Sequence, residues 1–459
     1  MKLPAYPRYK PSGVRWLHEV PEHWGVGPVK LHISRVESGT SVNASDAPAE
    51  NGELGVLKTS CVYSGSFRPE ENKTVLETDF ERVSCPLKAG TLIVSRMNTP
   101  ELIGAAGVVT TAPGNLFLPD RLWQISFKKA DVRFVHFWTL TSSYRAQVES
   151  ACTGTSSSMK NLGQDQFGSF AFSSPPLVEQ TGIADFLVIE TDRIDTLVAK
   201  KRTLVERLKE KRTALISRTV TRGLPPDAAR AAGLDPHPKL KPSGIDWLGD
   251  IPAHWSTSRI KYVAQIESGH TPSRSVEEYW VDCTIPWVSL NDSGYLREHD
   301  YISDTVYQIS ELGMANSSAH LLPAGAVVFS RDATVGLCAI TTRPMAVSQH
   351  FIAYLCGPKL VPTYLLLSLK AMSQHLERLS MGATIPTIGM TDVRSLACPV
   401  PPVPEQKAIV DFVNFETARL DQLIAKVESV IDRLQEYRTA LITAAVTGKI
   451  DVRRASASE

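Results

Sequence analysis

Few residues in this 459-residue chain have the types and spacing of a catalytic centre. Glu71-Asn72-Lys73 has the ExK form used by many nucleases, but no well-placed Pro-Asp precedes it. Such tripeptides are common by chance, so nuclease chemistry is not assigned to it. Ser174-Pro175-Pro176-Leu177 shares only its prolines with the Asn/Asp-Pro-Pro-Tyr/Phe tetrapeptide of amino-methyltransferases, and it begins a helix. No GxxxxGKS/T phosphate loop occurs, and no GxGxxG follows a strand, so neither an ATPase nor a dinucleotide enzyme is indicated. The 11 histidines include no HxH or HxxxH pair. His23 and His254 recur within a repeated motif and read as hydrogen-bonded structural residues, not metal ligands. The seven cysteines form no CxxC pair, which argues against a zinc knuckle or a disulfide frame and fits reduced thiols in a cytosol.

The repeats carry more information than any single residue. Lys10 to Trp24 reads KPSGVRWLHEVPEHW, and Lys241 to Trp255 reads KPSGIDWLGDIPAHW. Between 7–24 and 238–255, 10 of 18 positions are identical; between 175–224 and 401–450, 24 of 50 are, at an offset of 226. Weaker echoes join LKAGTLIVSR (87–96) to LPAGAVVFSR (322–331), and VESGTS (36–41) to IESGHTPS (266–273). The chain is a tandem duplication. Its expected parts are a repeated motif (1–24), a first variable domain (25–173), a long helix (174–224), a linker with the second motif (225–255), a second variable domain (256–397), a second long helix (398–450) and a tail (451–459).

Each long helix opens on Pro-Pro followed by Glu-Gln, and stops at Gly223 or Gly448. Heptad rows run through Leu187, Ile194, Leu208 and Leu215, and through Ile183, Leu197 and Leu204. In the second copy they run through Val413, Leu420, Val427, Leu434 and Leu441, and through Ile409, Leu423, Val430 and Tyr437. Two apolar seams at this spacing predict an antiparallel coiled coil, with about 40 residues giving a rod of roughly 60 Å. The variable domains read as mixed α/β. TLIVS, LWQISF, AVVFS and FIAYLC are strand-like, and RFVHFWTLTSSYRAQV and PTYLLLSLKAMSQHLERL are helical. The Lys-Pro-Ser-Gly motif reads as neither helix nor good strand, but as an extended clip pinned by Trp16, Trp24, Trp247 and Trp255, or as a partner-docking surface. No 18-residue apolar run exists, and the N-terminus lacks a signal-peptide core.

In this order of parts the chain resembles the specificity (S) subunit of type I restriction–modification systems. The residues that carry the resemblance are the duplicated KPSG…WL…P.HW motif, LPAG.VVFSR, IESGHTPS, GATIPTI at 382–388 and the duplicated PP..EQ helix lead. It covers about residues 6–450. It implies two α/β target-recognition domains separated by two long helices in an antiparallel coiled coil. Each domain would read one half of a split, asymmetric double-stranded DNA target. The helices would set the gap and dock two methyltransferase (M) subunits, joined in the full complex by restriction/translocase (R) subunits. The resemblance implies a cytoplasmic, non-catalytic subunit, with S-adenosylmethionine, ATP and magnesium on its partners. One departure is GTSSSMKNL (154–162), which lacks the proline of GATIPTIGM, so that loop is expected to be built differently. A self-contained nuclease or methyltransferase, and a purely structural coiled-coil adaptor, remain open alternatives at this point.

Base edges are read by Arg, Lys, Asn, Gln, Ser and Thr. In the first domain the candidates are Ser38, Thr40, Ser41, Asn43, Lys58, Ser60, Arg96, Asn98, Lys160 and Asn161. In the second they are His270, Thr271, Ser273, Arg274, Ser289, Asn291, Arg331, Thr384 and Thr387. Ser and Thr in turns also cap backbone, and Arg96 and Arg331 could instead form structural ion pairs. Net charge over the chain is +1. The first domain holds 14 basic and 14 acidic residues and the second 10 and 12, so neither is a basic surface. Because phosphate neutralisation supplies much of DNA affinity, the isolated chain is expected to bind DNA weakly. Residues 198–222 carry nine basic and two acidic residues, and Lys200, Lys201, Arg202, Lys209, Lys211 and Arg212 could face phosphates or an acidic partner.

Overall fold

In the computed structural model, which describes residues 4–50, 52–153, 159–380 and 385–453, the repeated motif is a β-hairpin in both copies. Tyr9–Pro11 pairs antiparallel with Glu19–Pro21, and Leu240–Pro242 with Asp250–Pro252. This corrects the expectation of an extended path without strand pairing. The prolines end three-residue edge strands, where a missing N–H is tolerated. Gly13 and Gly244, at φ +74° and +72°, supply the left-handed turn residue.

The chain divides into two compact units, Met1–Arg202 with Ser429–Glu459, and Thr203–Glu428. In the first unit, Ile33–Glu37, Leu122–Phe127, Thr91–Ser95 and Ala106–Val109 form an antiparallel sheet in that order. A smaller sheet has the order Leu116–Phe117, Gly55–Leu57, Asn72–Thr74. The second unit repeats the plan. Its larger sheet has the order Ala264–Ser268, Phe351–Cys356, Val327–Ser330, Cys338–Thr341, Tyr301–Ile302, and its smaller one Tyr307–Ile309, Ile285–Val288, Ala346–Val347. The four strands expected from sequence are present, and the fold is α/β as expected. Each expected domain helix is two helices: Val132–Thr139 and Ser142–Ala151, then Pro362–Ala371 and Ser373–Leu379. Thr141 caps the second of the first pair through its side chain, which favours a break there over continuation.

Each variable domain is closed by pairing its entry strand with its exit strand. Gly25–Pro28 zips to Ala171–Ser174, and Ser256–Arg259 to Ala397–Val400. What lies between can diverge without moving the two ends. Apolar burial fixes the base of each domain: Trp24, Phe134, Phe172 and Trp138 pack edge to face in the first unit. Trp255, Tyr364, Ile260 and Leu365 are core residues of the second.

The long helices span Leu177–Arg222 and Val403–Val446, and they run antiparallel within each unit. In the first, Ser173 beside one helix start bonds the carbonyl of Val446 at the other helix end, while Asp195 meets Arg438. In the second, Arg212 meets Asp421, and Gly223 lies beside Glu405. Gly223 and Gly448 end the helices at φ +82° and +74°. One seam is as expected, with Leu187, Ile194 and Leu208, and Val413, Val427 and Leu441, buried. The other is corrected. Leu197, Leu204, Leu423, Val430 and Tyr437 are exposed. The partner row is instead Thr191, Val198, Val205 and Arg212 on the first helix, and Thr417, Ile424, Ile431 and Arg438 on the second. Alternating steps of three and four from the first seam select these positions. The expected row missed them because it placed leucines before threonine and arginine. Among the described residues, no helix is long and apolar enough to cross a membrane.

Candidate nucleic-acid interface

The geometry starts from the Glu-Gln pair that opens each long helix. Glu179 is buried and receives three donors: Tyr6 Oη at 2.7 Å, His23 Nε2 at 2.8 Å and Trp24 Nε1 at 3.2 Å. Its counterpart Glu405 receives His254 Nε2 at 2.8 Å. Each carboxylate thus ties the hairpin motif to the helix N-terminus, where the dipole also favours negative charge. The next residue ties in the domain. Gln180 accepts from the Asp131 amide and donates to the Pro175 carbonyl. Gln406 accepts from the Val361 amide and donates to the Lys359 and Pro401 carbonyls. Asp131 and Val361 are the N-caps of Val132–Thr139 and Pro362–Ala371. His23 and His254 are therefore structural, as read from the sequence. The positioning role of Glu179, Glu405, Gln180 and Gln406 was missed, although their duplication was visible.

The Glu-Ser-Gly echo is explained by close approach. A Cβ on Gly39 would lie 1.6 Å from the Leu118 carbonyl oxygen, and one on Gly269 would lie 2.1 Å from that of Ser348. Only glycine lets these loops cross the neighbouring backbone.

Beyond the crossing, Arg96 and Arg331 are held in the same way. Arg96 Nε donates to the Asp120 carbonyl at 2.8 Å, its amide to Arg121 O, and its carbonyl accepts from Leu162 N. Arg331 Nε donates to the Gln349 carbonyl at 3.2 Å, its amide to His350 O, and its carbonyl accepts from Ile388 N. Carbonyls, not carboxylates, are the main anchors, although Arg331 also lies 3.6 Å from Asp332. In both units the loop before the exit strand pairs beside this arginine: Lys160 and Asn161 opposite Asn98 and Met97, and Thr387 bridged to Asp332. The described parts of both loops pair beside the arginine, by a short strand in the first unit and by a single bridge in the second. Residues 154–158 and 381–384, including the candidate Thr384, lie outside the described residues.

The first-unit candidates fall into two groups. Ser38 donates to the Asp120 and Leu122 carbonyls, beside Arg96. Asn98 is buried and donates to Tyr63 Oη at 2.8 Å, and Tyr63 Oη in turn meets Thr59 Oγ1 at 2.7 Å. Ser60 donates to Glu71, and the Lys58 amide to the Glu71 carbonyl. Glu71 thus serves as a loop brace, its place in the ExK tripeptide notwithstanding. Thr40, Ser41 and Asn43 form the second group, tied to the Arg82 carbonyl, the Arg82 guanidinium and Asp79.

In the second unit, the His270 carbonyl accepts from Trp287 Nε1 and the Ser273 carbonyl from Trp280 Nε1. Thr271 bonds Gln349, the residue whose carbonyl holds Arg331, so these two candidates converge. Ser289 is buried and capped by Asp292, while Arg274 and Asn291 are exposed beside Trp280, Trp287 and Tyr307. These aromatics were not anticipated as part of the site.

Burial and pairing shift several titratable groups in the two units. Burial pushes the Cys61 and Cys338 thiols up to about 12, so neither is a thiolate nucleophile at neutral pH. A hydrogen bond from Lys88 holds the Glu37 carboxyl below its usual range. Among the described residues, no group of three His, Cys, Asp or Glu side chains is arranged to hold a metal ion.

Comparison with known proteins points the same way. Residues 252–431 match the family model described as "Type I restriction modification DNA specificity domain". The chain is 29% identical over 170 residues to the MjaIX specificity subunit of Methanocaldococcus jannaschii, a match that covers 37% of this chain and 39% of that relative's length. It is 21% identical over 450 residues, 95% of each chain, to the putative MjaX specificity subunit of the same organism. The fold is shared with a solved chain from work on assembly and conformational transition of the type I R-M system, with TM-score 0.69, 14% identity and 94% and 99% coverage of the two chains. It is also shared with the HsdS subunit of Thermoanaerobacter tengcongensis, with TM-score 0.55, 16% identity and 94% and 98% coverage. Residues 252–431 thus match a type I restriction DNA specificity domain, and the chain as a whole is similar in sequence and fold to type I specificity subunits.

Proposed function

We propose that this chain is the DNA sequence-specificity subunit of a type I restriction–modification complex. Each variable domain reads one half of a bipartite, asymmetric target. The observation that carries this reading is the matched anchoring of Arg96 and Arg331 amid side chains that differ. Arginine presents a fork suited to guanine O6 and N7. Here the fork is set on a duplicated frame, beside Asn98 and Lys160 in one unit and beside Thr271 and Gln349 in the other. Two different readers on one duplicated frame yield an asymmetric target, where a homodimer yields a palindrome.

In this reading the long helices fix the gap between half-sites and dock two methyltransferase subunits. The chain itself recognises and does not cleave or methylate. S-adenosylmethionine, ATP and magnesium are assigned to the partner subunits, and the complex to the cytoplasm. The near-neutral readers imply that the partners complete the grip on DNA phosphates. Methylome sequencing of the host with and without this gene tests the proposal. Loss of one split methylation motif supports it, and an unchanged methylome contradicts it.

A further inference from the structure

We propose that the second unit holds one nucleobase, unstacked from the duplex, in an aromatic cleft that the first unit lacks. This rests on the reading of the chain as a DNA-specificity subunit. The cleft has a volume of about 430 Å³ and is lined by Arg274, Trp280, Trp287, Asn291 and Tyr307. Trp287 is its floor, only 2% exposed, and Trp280 meets it edge to face with ring centres 5.6 Å apart. Tyr307 lies directly opposite Trp287 on the neighbouring strand and is 50% exposed.

Both indole N–H groups are already used. Trp287 donates to the His270 carbonyl at 3.1 Å and Trp280 to the Ser273 carbonyl at 3.2 Å. These bonds lock the loop of candidate base contacts onto the cleft and leave ring surface, not polar atoms, for an occupant. Hydrogen-bonding capacity sits at the rim. Among the described residues Arg274 has no ion pair, and Asn291 makes only a 3.5 Å contact with Ser289. Aromatic walls with an arginine and an amide at the edge match a nucleobase, which offers a flat π-face and a polar perimeter.

The other unit shows that the frame does not require this cleft. Trp287 pairs in parallel with Ala346 and antiparallel with Tyr307. Gly55 holds the same place, paired in parallel with Leu116 and antiparallel with Thr74. The space is filled there, since a Cβ on Gly55 would lie 2.6 Å from Leu116 Cδ2. The aromatics therefore belong to the second reader alone.

The test uses the assembled methyltransferase complex and its target DNA, with an abasic site placed opposite each position in turn. Removing the pairing partner lowers the cost of extruding a base. Besides the base that the methyltransferase subunits themselves extrude in each half-site, one further position, in one half-site only, is expected to bind several-fold tighter. In the Trp280→Ala/Tyr307→Ala variant that gain disappears, and affinity for the intact target falls roughly 5- to 150-fold. Tyr307→Phe retains both, and discrimination at the other half-site is unchanged, which shows that the variant is folded. Specific binding without a gain at any position other than the methylated bases, or a gain at that further position that survives the double variant, overturns the cleft proposal alone. Absence of any sequence-specific binding overturns the underlying reading as well.

Discussion

Asp195 and Arg438 form an ion pair at 3.0 Å, and their repeat counterparts Asp421 and Arg212 form the same pair at 3.1 Å. In each unit a seam arginine of one helix reaches a flanking aspartate of the other, which fixes the antiparallel register. The arginine side chains are 30% and 33% exposed and the aspartates 55% and 52%, so each pair contributes only about 0.2–1 kcal/mol. The Asp195→Arg variant opposes two cations across the seam and is expected to lower the thermal midpoint by a few degrees. Asp195→Arg/Arg438→Asp recovers most of the loss. A double variant no better than the single would remove this pair from the register argument.

The two carboxylate clamps are unequal. Among the described residues, Glu179 accepts three side-chain donors and Glu405 one, and Trp255 Nε1 has no partner where Trp24 Nε1 has Glu179. Hydrogen bonds to a charged group contribute about 1.5–3 kcal/mol each. Denaturant unfolding should therefore show Glu179→Ala costing more than Glu405→Ala, by about 3 kcal/mol or more for the two additional donors. Truncating Trp24 or Trp255 to Ala removes a fully buried ring and costs about 3–5 kcal/mol. These changes harm folding or assembly, and any complex that still forms keeps its recognition sequence.

The crossing glycines are steric requirements. Gly39→Ala and Gly269→Ala place a methyl on a backbone oxygen, so the loop must move and the local fold is lost. Gly13→Ala is the control. It has φ +74° but no neighbour within 4 Å, so it bears only the strain of a left-handed alanine, about 1–2 kcal/mol. Limited proteolysis should cut the Gly39 and Gly269 variants rapidly and spare the Gly13 variant.

His136 makes the first unit sensitive to acid. Its Nε2 bonds the Gly65 carbonyl at 2.7 Å, and burial, with Arg438 nearby, holds its pKa below the ordinary value. The unfolded chain then binds the proton more readily than the folded one. Stability is complete above the unfolded pKa of about 6.5 and falls as pH drops toward the lower folded value, by at most about 1.4 kcal/mol per pH unit. Thermal midpoints of His136→Gln between pH 7.5 and 5.5 should fall less steeply than those of the parent. Parallel slopes would assign the acid sensitivity elsewhere.

The duplicated parts were legible because repetition exposed them: strand, loop and helix recur in one order, and Pro, Gly and the heptads mark their ends. The second seam was misread because Thr191, Thr417, Arg212 and Arg438 do not look like core residues. Those threonines bond backbone carbonyls one turn back, and those arginines reach aspartates, so polar atoms are satisfied while carbon packs. In the interface, the loops were legible by their polar composition, but the aromatic cleft was not. Trp280, Trp287 and Tyr307 are joined by strand pairing across 27 residues of chain, which no local spacing reveals.

The central claim is that one frame carries two independent readers. It is tested most directly by the methylome of a strain whose only copy of the gene has residues 256–397 replaced by a second copy of 25–173. The account predicts a new motif in which one original half-site appears twice as an inverted repeat, making the target symmetric. Retention of the original asymmetric motif, from a complex shown to assemble and methylate, would contradict it.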